Sequence, residues 1–230
     1  LATNDVNVVV TREDGKNDTL KAWLPAGVRV DEVPLTTTLY FDPDDVRAAL
    51  ASSPANGTFG SLVVTSERGA DYVEIARHAS APDVEVFVVG ATTSSALTTR
   101  GIRVHAQGDG SADALAPHIS RGPVLLLGAR SMREELTTAL REKGLEVETV
   151  ACYETVGLAL DSSDAATLRN ADVIFIGAPS AWTVAREYVK SDAWVVVPGA
   201  TTGAAVRLDH PHVIEGWGPQ LTTRLAELSH

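Results

Sequence analysis

Short apolar runs rich in β-branched residues recur along the chain. They alternate with segments whose apolar residues return every three to four positions. That alternation predicts an α/β protein whose parallel sheets are joined by crossover helices. The predicted strands are 6–11, 61–65, 84–89, 103–106, 124–127, 147–151, 172–176, 194–197 and 213–215. The predicted helices are 113–119, 133–143, 163–170, 180–189 and 220–228, with Gly144 closing the second of them. A wholly apolar run such as Val124-Leu125-Leu126-Leu127 suits a strand buried on both faces. Asp42-Pro43-Asp44-Asp45, ahead of Val46 and Leu50, reads as an acidic helix start rather than a magnesium site.

The pattern also repeats. Val86-Phe87-Val88-Val89-Gly90-Ala91-Thr92-Thr93 is echoed by Val195-Val196-Val197-Pro198-Gly199-Ala200-Thr201-Thr202, and Leu62-Val63-Val64 by Val173-Ile174-Phe175. Val8-Val9-Val10-Thr11-Arg12 is answered by Leu125-Leu126-Leu127-Gly128-Ala129, so the chain reads as two related halves. Two stretches, 29–36 and 148–155, run past normal strand length into threonine-containing segments. They suggest that the chain leaves one domain near residue 36 and returns to it near 156. On that reading residues 1–36 plus 157–230 form a discontinuous α/β domain 1. Residues 37–156 form an inserted α/β domain 2, with linker strands near 30–37 and 150–157 crossing antiparallel as a hinge.

Composition narrows the function classes. At 44% hydrophobic and 21% charged residues the chain is an ordinary globule able to bury a core. A net charge of −11 argues against nucleic acid as a partner, because phosphate contacts need clustered Lys and Arg. No apolar run approaches the roughly 20 residues of a membrane span, and the start has no secretory signal, so a cytoplasmic protein without membrane contact is expected. The lone Cys152 has no internal disulfide partner and reads as a small buried hydrophobe. His210-Pro211-His212 reads as a loop, and no metal site is expected. Walker, dinucleotide and nucleophile-elbow motifs do not occur, which leaves nucleotide cofactors little support.

In a parallel sheet, ligands gather where strand carboxyl ends meet helix N-termini. The residues placed there are Thr11, Arg12, Thr65, Ser66, Gly90, Thr93, Arg130, Arg133, Ser180, Thr201 and Thr202. Small residues followed by hydroxyls let backbone N–H groups approach an anion, which suits carboxylates. Thr92, Thr93, Thr201 and Thr202 equally suit plain helix caps.

The ordered set of these segments resembles the uroporphyrinogen-III synthase family over nearly the whole chain. Thr11-Arg12 is similar to its first strand end, Thr65-Ser66 to its second-domain strand end, and Gly90-Ala91-Thr92-Thr93 to its Gly-x-x-Thr turn. Arg133-Glu134-Glu135-Leu136 resembles its Arg-x-x-Leu helix. Val150-Ala151-Cys152-Tyr153-Glu154-Thr155 resembles its return segment, and Ala178-Pro179-Ser180 with Gly199-Ala200-Thr201-Thr202 its last two turns. Ala178 and Gly177 depart from it by standing where the family carries hydroxyl residues, and Glu67-Arg68 where a small or amide pair is usual.

The resemblance implies two flavodoxin-like parallel-sheet domains joined by a two-stranded antiparallel β linker, with the active site in the cleft. It implies a cofactor-free lyase that takes hydroxymethylbilane, a linear tetrapyrrole with eight carboxylates, to uroporphyrinogen III. Water leaves, a spiro intermediate forms and ring D is inverted. Tyr153 is then the donor to the leaving oxygen or an aromatic anchor of the linker, and Arg12 and Arg133 are carboxylate partners, with Arg130 as an adjacent substitute. A monomer is expected, and a chain opening on Leu1 leaves room for fusion to a tetrapyrrole methyltransferase. A non-catalytic module of the same fold and a solute-binding protein are the rival readings.

Overall fold

The structure, a computed structural model, describes residues 6–25, 28–132, 134–218, 220, 221 and 223. From its start the chain forms β1 (Asn7–Val10), α1 (Asp18–Lys21) and β2 (Arg29–Glu32). It continues through β3 (Thr36–Tyr40), α2 (Pro43–Ala51), β4 (Phe59–Val64), α3 (Val73–His78), β5 (Ser80–Val88), α4 (Ala91–Thr99) and β6 (Ala106–Gln107). Next come α5 (Ala112–Leu115), β7 (Val124–Ala129), α6 (Glu135–Glu142) and β8 (Val147–Gly157). The last stretch holds α7 (Ser162–Asn170), β9 (Val173–Phe175), α8 (Pro179–Ala185), β10 (Trp194–Val197), α9 (Ala200–Arg207) and β11 (Val213–Glu215).

These elements fall into two compact units, Leu1–Thr37 with Val156–His230 and Thr38–Thr155. Unit 1 carries a five-stranded sheet in the order β11-β10-β9-β1-β2, with parallel pairing throughout. Alternation along β1 sends Val9 to one face of the sheet and Val8 and Val10 to the other. Both faces are covered: Val9 packs with Leu168 of α7, Trp182 of α8 and Val206 of α9, and Val8 and Val10 pack with Leu20 of α1. Unit 2 centres on β8-β7-β4-β5-β6, also parallel, with β3 as the outer neighbour of β8. Here Leu125 and Leu127 face α2, α3 and α4, while Val124 and Leu126 face α5 and α6. Continuous apolar strands are what a sheet buried on both sides demands.

Several elements differ from their predicted limits. Residues 29–36 are not one long strand, because Pro34 cannot donate to a ladder; β2 ends before it and β3 begins after it, each in a different sheet. The strand predicted at 103–106 shrinks to Ala106–Gln107, since the Ile102 N–H turns back to Leu97 O to close α4. The helix predicted at 113–119 becomes α5 followed by a 3₁₀ turn, Ala116–His118, around Pro117. The helix predicted at 180–189 stops at Ala185. The one predicted at 220–228 falls mostly outside the described residues. Asp42 caps α2 by accepting the Asp44 N–H at 2.8 Å with Pro43 behind it, and Gly144 follows α6 at φ +81°, both as predicted. Among the described residues no helix is long and apolar enough to cross a membrane.

Candidate functional site

In unit 1 the carboxyl ends of β1, β9, β10 and β11 lead into Thr11-Arg12, Gly177–Ser180, Gly199–Thr202 and Gly216-Trp217. Thr11 is buried, and its hydroxyl donates to the Phe175 carbonyl at 2.5 Å, tying β1 to β9. Arg12 begins a loop organised by the buried Asn17, which takes the Arg12 N–H on Oδ1 and donates to both the Arg12 carbonyl and Glu32. The hydrogen bonds from Lys21 and Asn17 hold the Glu32 carboxyl below the usual carboxylate range. The Arg12 guanidinium donates to Lys16 O at 2.9 Å and lies 5.9 Å from the Trp217 ring centroid.

Thr92, Thr93, Thr201 and Thr202 do not cap their helices. The N-cap residues of α4 and α9 are Gly90 and Gly199, and neither terminus carries a side-chain cap bond. Thr93 and Thr202 are buried within the first turns, while Thr201 and Ser180 are exposed. With a glycine cap, the first-turn N–H groups keep their hydrogen-bonding capacity for another acceptor.

In unit 2 the equivalent edge is built by β4, β5, β7 and β8. The Thr65 hydroxyl donates to Leu127 O at 3.3 Å, and a Cβ on Gly128 would collide with it, so β7 needs glycine there. Ser66 accepts the Arg68 N–H and caps the 3₁₀ segment Glu67–Tyr72. Tyr153, near the end of β8, is buried; Arg68 stands over its ring at 5.8 Å and the Tyr40 ring is tilted 6.4 Å away. The Tyr153 hydroxyl has no hydrogen-bond partner among the described residues. Arg130 donates its N–H to Tyr153 O, pairs with Glu154 at 3.3 Å and covers the Phe41 ring at 4.7 Å. The Tyr72 hydroxyl donates to Phe41 O at 2.6 Å, and burial with Cys152 and Asp71 nearby raises its pKa.

Beside Arg130 opens a cavity of ≈ 330 Å³, with Thr137, Arg141 and Thr149 in its lining. Arg133 lies outside the described residues. Cys152 is fully buried and donates to Gly128 O, and burial pushes its thiol up to about 12, away from the thiolate form a nucleophile needs. His210 is buried with a ring nitrogen 2.7 Å from Ala193 O, and the described residues contain no group of three metal-ligating side chains. Trp217, Tyr40, Phe41 and Tyr72 carry no signal in the strand-end motifs, and Arg68 stood out only as a departure from the family pattern after Thr65-Ser66. Only the glycines around Trp217 marked a turn at the end of an apolar run.

By sequence the chain matches the family described as uroporphyrinogen-III synthase HemD over residues 17–215. Its fold is similar to a mutant uroporphyrinogen III synthase from the extremely thermophilic bacterium Thermus thermophilus, with 19% identity, 97% of this chain and 98% of that one covered, and a TM-score of 0.62. It is similar also to uroporphyrinogen-III synthetase from Helicobacter pylori, with 16% identity, 98% and 100% covered, and a TM-score of 0.65. No curated protein matches the sequence.

Proposed function

From the premise that the chain belongs to the uroporphyrinogen-III synthase family, we propose how its residues carry the synthase reaction. The enzyme is a lyase acting on hydroxymethylbilane, and the family match over 17–215 is the observation that carries this reading. Tyr153 donates a proton to the terminal hydroxyl of the substrate while the adjacent pyrrole nitrogen pushes electron density into the ring. The C–O bond breaks and water leaves. Ring D attacks the exocyclic methylene of the resulting azafulvene through its substituted α-carbon to give a spiro intermediate. The bond from that carbon to the bridge to ring C then breaks, and the second azafulvene so formed is closed by the free α-carbon of ring D, which loses its proton and leaves ring D inverted. What supports Tyr153 is a buried ring packed near Arg68 and Tyr40 and a hydroxyl that serves no hydrogen bond within the described fold.

A substrate with eight carboxylates needs many donors. Arg12 and Arg130 supply forked guanidinium groups, and the glycine-capped starts of α4 and α9 supply backbone N–H groups. Ser66, Ser180 and Thr201 add hydroxyls. Thr11, Thr65, Thr93 and Thr202 shape the turns from within. Positioning dominates the chemistry, since an unguided bilane closes without inversion.

Two architectural proposals accompany the function. The order of unit 1 is 2-1-3-4-5 in its own strand count, which supports a flavodoxin-like domain. An antiparallel linker is supported by two backbone hydrogen bonds, Leu158 N to Leu35 O and Phe41 N to Cys152 O. The partners run upward in one segment and downward in the other.

The test is to incubate fresh hydroxymethylbilane with the protein and separate the oxidised products by isomer. Type III above the spontaneous type I is expected. Tyr153→Phe is expected to lower kcat by about 10²-fold with KM little changed, the scale of losing one general acid. Full rate in that variant would remove Tyr153 from the mechanism.

A further inference from the structure

Three features at the carboxyl edge of unit 1 remain unexplained by the roles above. Gly177 stands where a hydroxyl residue would have added a donor. Trp217 buries its indole Nε1 without a hydrogen-bond partner among the described residues. Arg12, in a loop, is nevertheless held in place. One arrangement brings all three together.

Trp217 sits in a turn between Gly216 at φ +98° and Gly218 at φ +159°, conformations that L side chains rarely adopt. The Gly216 N–H donates to Val197 O at 2.9 Å, which fastens that turn to the end of β10. The indole is thereby aimed back across the sheet edge. Its ring centroid lies 6.4 Å from that of Phe175 and 5.9 Å from the Arg12 guanidinium carbon. A Cβ on Gly177 would stand 3.4 Å from the outer edge of the indole and 3.8 Å from Arg12 Cγ. Gly177 is thus the floor against which the indole and the stem of Arg12 both lie.

A buried N–H with no acceptor is a cost that phenylalanine would not carry. The indole's return lies in its face, since tryptophan offers a cation the strongest attraction of the aromatic side chains. Arg12 is gripped on one side by that face and on another by Lys16 O, and among the described residues most of its five N–H donors have no acceptor. We propose that Trp217 is a positioning residue for substrate binding. It holds the Arg12 guanidinium at the carboxyl edge of the unit 1 sheet, ready to receive a carboxylate of the tetrapyrrole. The inference rests on the reading of Arg12 as a carboxylate partner.

The experiment compares Arg12→Gln, Trp217→Leu, Trp217→Phe and the double variant Arg12→Gln/Trp217→Leu by steady-state kinetics with hydroxymethylbilane at several salt concentrations. Circular dichroism checks each fold. Trp217→Leu is expected to raise KM roughly three- to fivefold with kcat within about twofold, the scale of a partly exposed cation–π contact. It should also flatten the salt dependence of kcat/KM. Trp217→Phe, which keeps a ring face, should recover most of the affinity. The double variant should bind no worse than Arg12→Gln, because the two residues act through one contact.

If Arg12→Gln raises KM and Trp217→Leu does not, the positioning role is overturned while the reading of Arg12 stands. If Arg12→Gln leaves KM unchanged, that reading fails and takes the positioning role with it. A second measurement does not depend on how the leucine variant folds. The Trp217 indole ¹H–¹⁵N signal, assigned by its loss in Trp217→Phe, is followed while reduced uroporphyrinogen III is added. It should move in the wild type and stay in place in Arg12→Gln; a signal that stays in the wild type overturns the proposal.

Discussion

Asp172 shows how one residue at the amino edge of the unit 1 sheet joins three strands. Its carboxylate takes the Asn7 N–H at 2.9 Å and the Lys190 ammonium at 2.6 Å, while its own carbonyl takes the Trp194 N–H at 2.8 Å. Burial works to raise this carboxyl, but the Lys190 bond and the Asn7 amide outweigh it and hold it below the usual carboxylate range. A depressed folded value means stability that is fully present above the unfolded value near ~3.9 and lost as pH falls through the folded one. Both side chains are more than a third exposed, so solvent screening keeps the contribution to about 1 kcal/mol or less. Asp172→Asn keeps an acceptor for Asn7 and loses the charge. It should be less stable than wild type at pH 7 by that amount, with the gap closing below about pH 4. Urea unfolding at pH 7, 4 and 2.5 reads this, and a gap independent of pH would contradict it. At this scale the sequence was half legible. It placed Thr11 and Arg12 at a strand end and singled out Tyr153 through the resemblance of its segment, yet it could not say that the Thr11 hydroxyl is consumed by Phe175 or that Arg12 meets Trp217. Those contacts join residues far apart in the chain, and periodicity carries no information about them.

At the scale of elements, helix starts divide by chemistry. α7 begins at Asp161, whose carboxylate accepts the N–H groups of Ser163 and Asp164, both at 2.8 Å, and α2 begins at Asp42 in the same manner. α4 and α9 begin at glycine without a side-chain cap. Asp161→Ala should therefore cost about 1 kcal/mol of unit 1 stability, the ordinary value of an N-cap, without changing the isomer ratio of the product. Chemical denaturation with product analysis checks both halves; a shift toward the type I isomer would give α7 a part in substrate binding. The elements read best from sequence were those bounded by their own chemistry. Strands 194–197 and 213–215 stand at their predicted limits, and Gly144 ends α6 where a left-handed residue is needed. Misreadings arose where one proline or one backbone bond overruled an apolar run. Pro34 divides β2 from β3, Pro117 tightens the end of α5, and the turn of Ile102 back to Leu97 shortens β6.

At the scale of the molecule, the echoed segments fall into equivalent places. Reading each sheet outward, β2-β1-β9-β10-β11 in unit 1 corresponds to β8-β7-β4-β5-β6 in unit 2. The echoes pair β1 with β7, β9 with β4 and β10 with β5, which are matching positions in the two orders. At these five matched positions each unit therefore takes two adjacent strands from one half of the chain and three from the other. Even the central tie is shared: Thr11 bonds β1 to β9, and Thr65 bonds β4 to β7. The consequence for folding is asymmetric. Unit 2 is continuous, of ordinary domain size, and holds two core clusters of its own on the two faces of its sheet. Unit 1 draws β1 and β2 from the start of the chain and β9 to β11 from its end, so neither piece alone can bury Val9 or Ile174. Residues 38–155 expressed alone should fold and unfold cooperatively in urea. Residues 1–37 and 156–230 should stay unfolded as separate peptides. Joined by a short glycine-rich loop they should fold, because Leu158 N already donates to Leu35 O at 2.9 Å and little chain is needed to connect them. Circular dichroism and urea titration of the three products decide it. A joined unit 1 without a cooperative transition would mean that its sheet depends on the inserted unit for its stability.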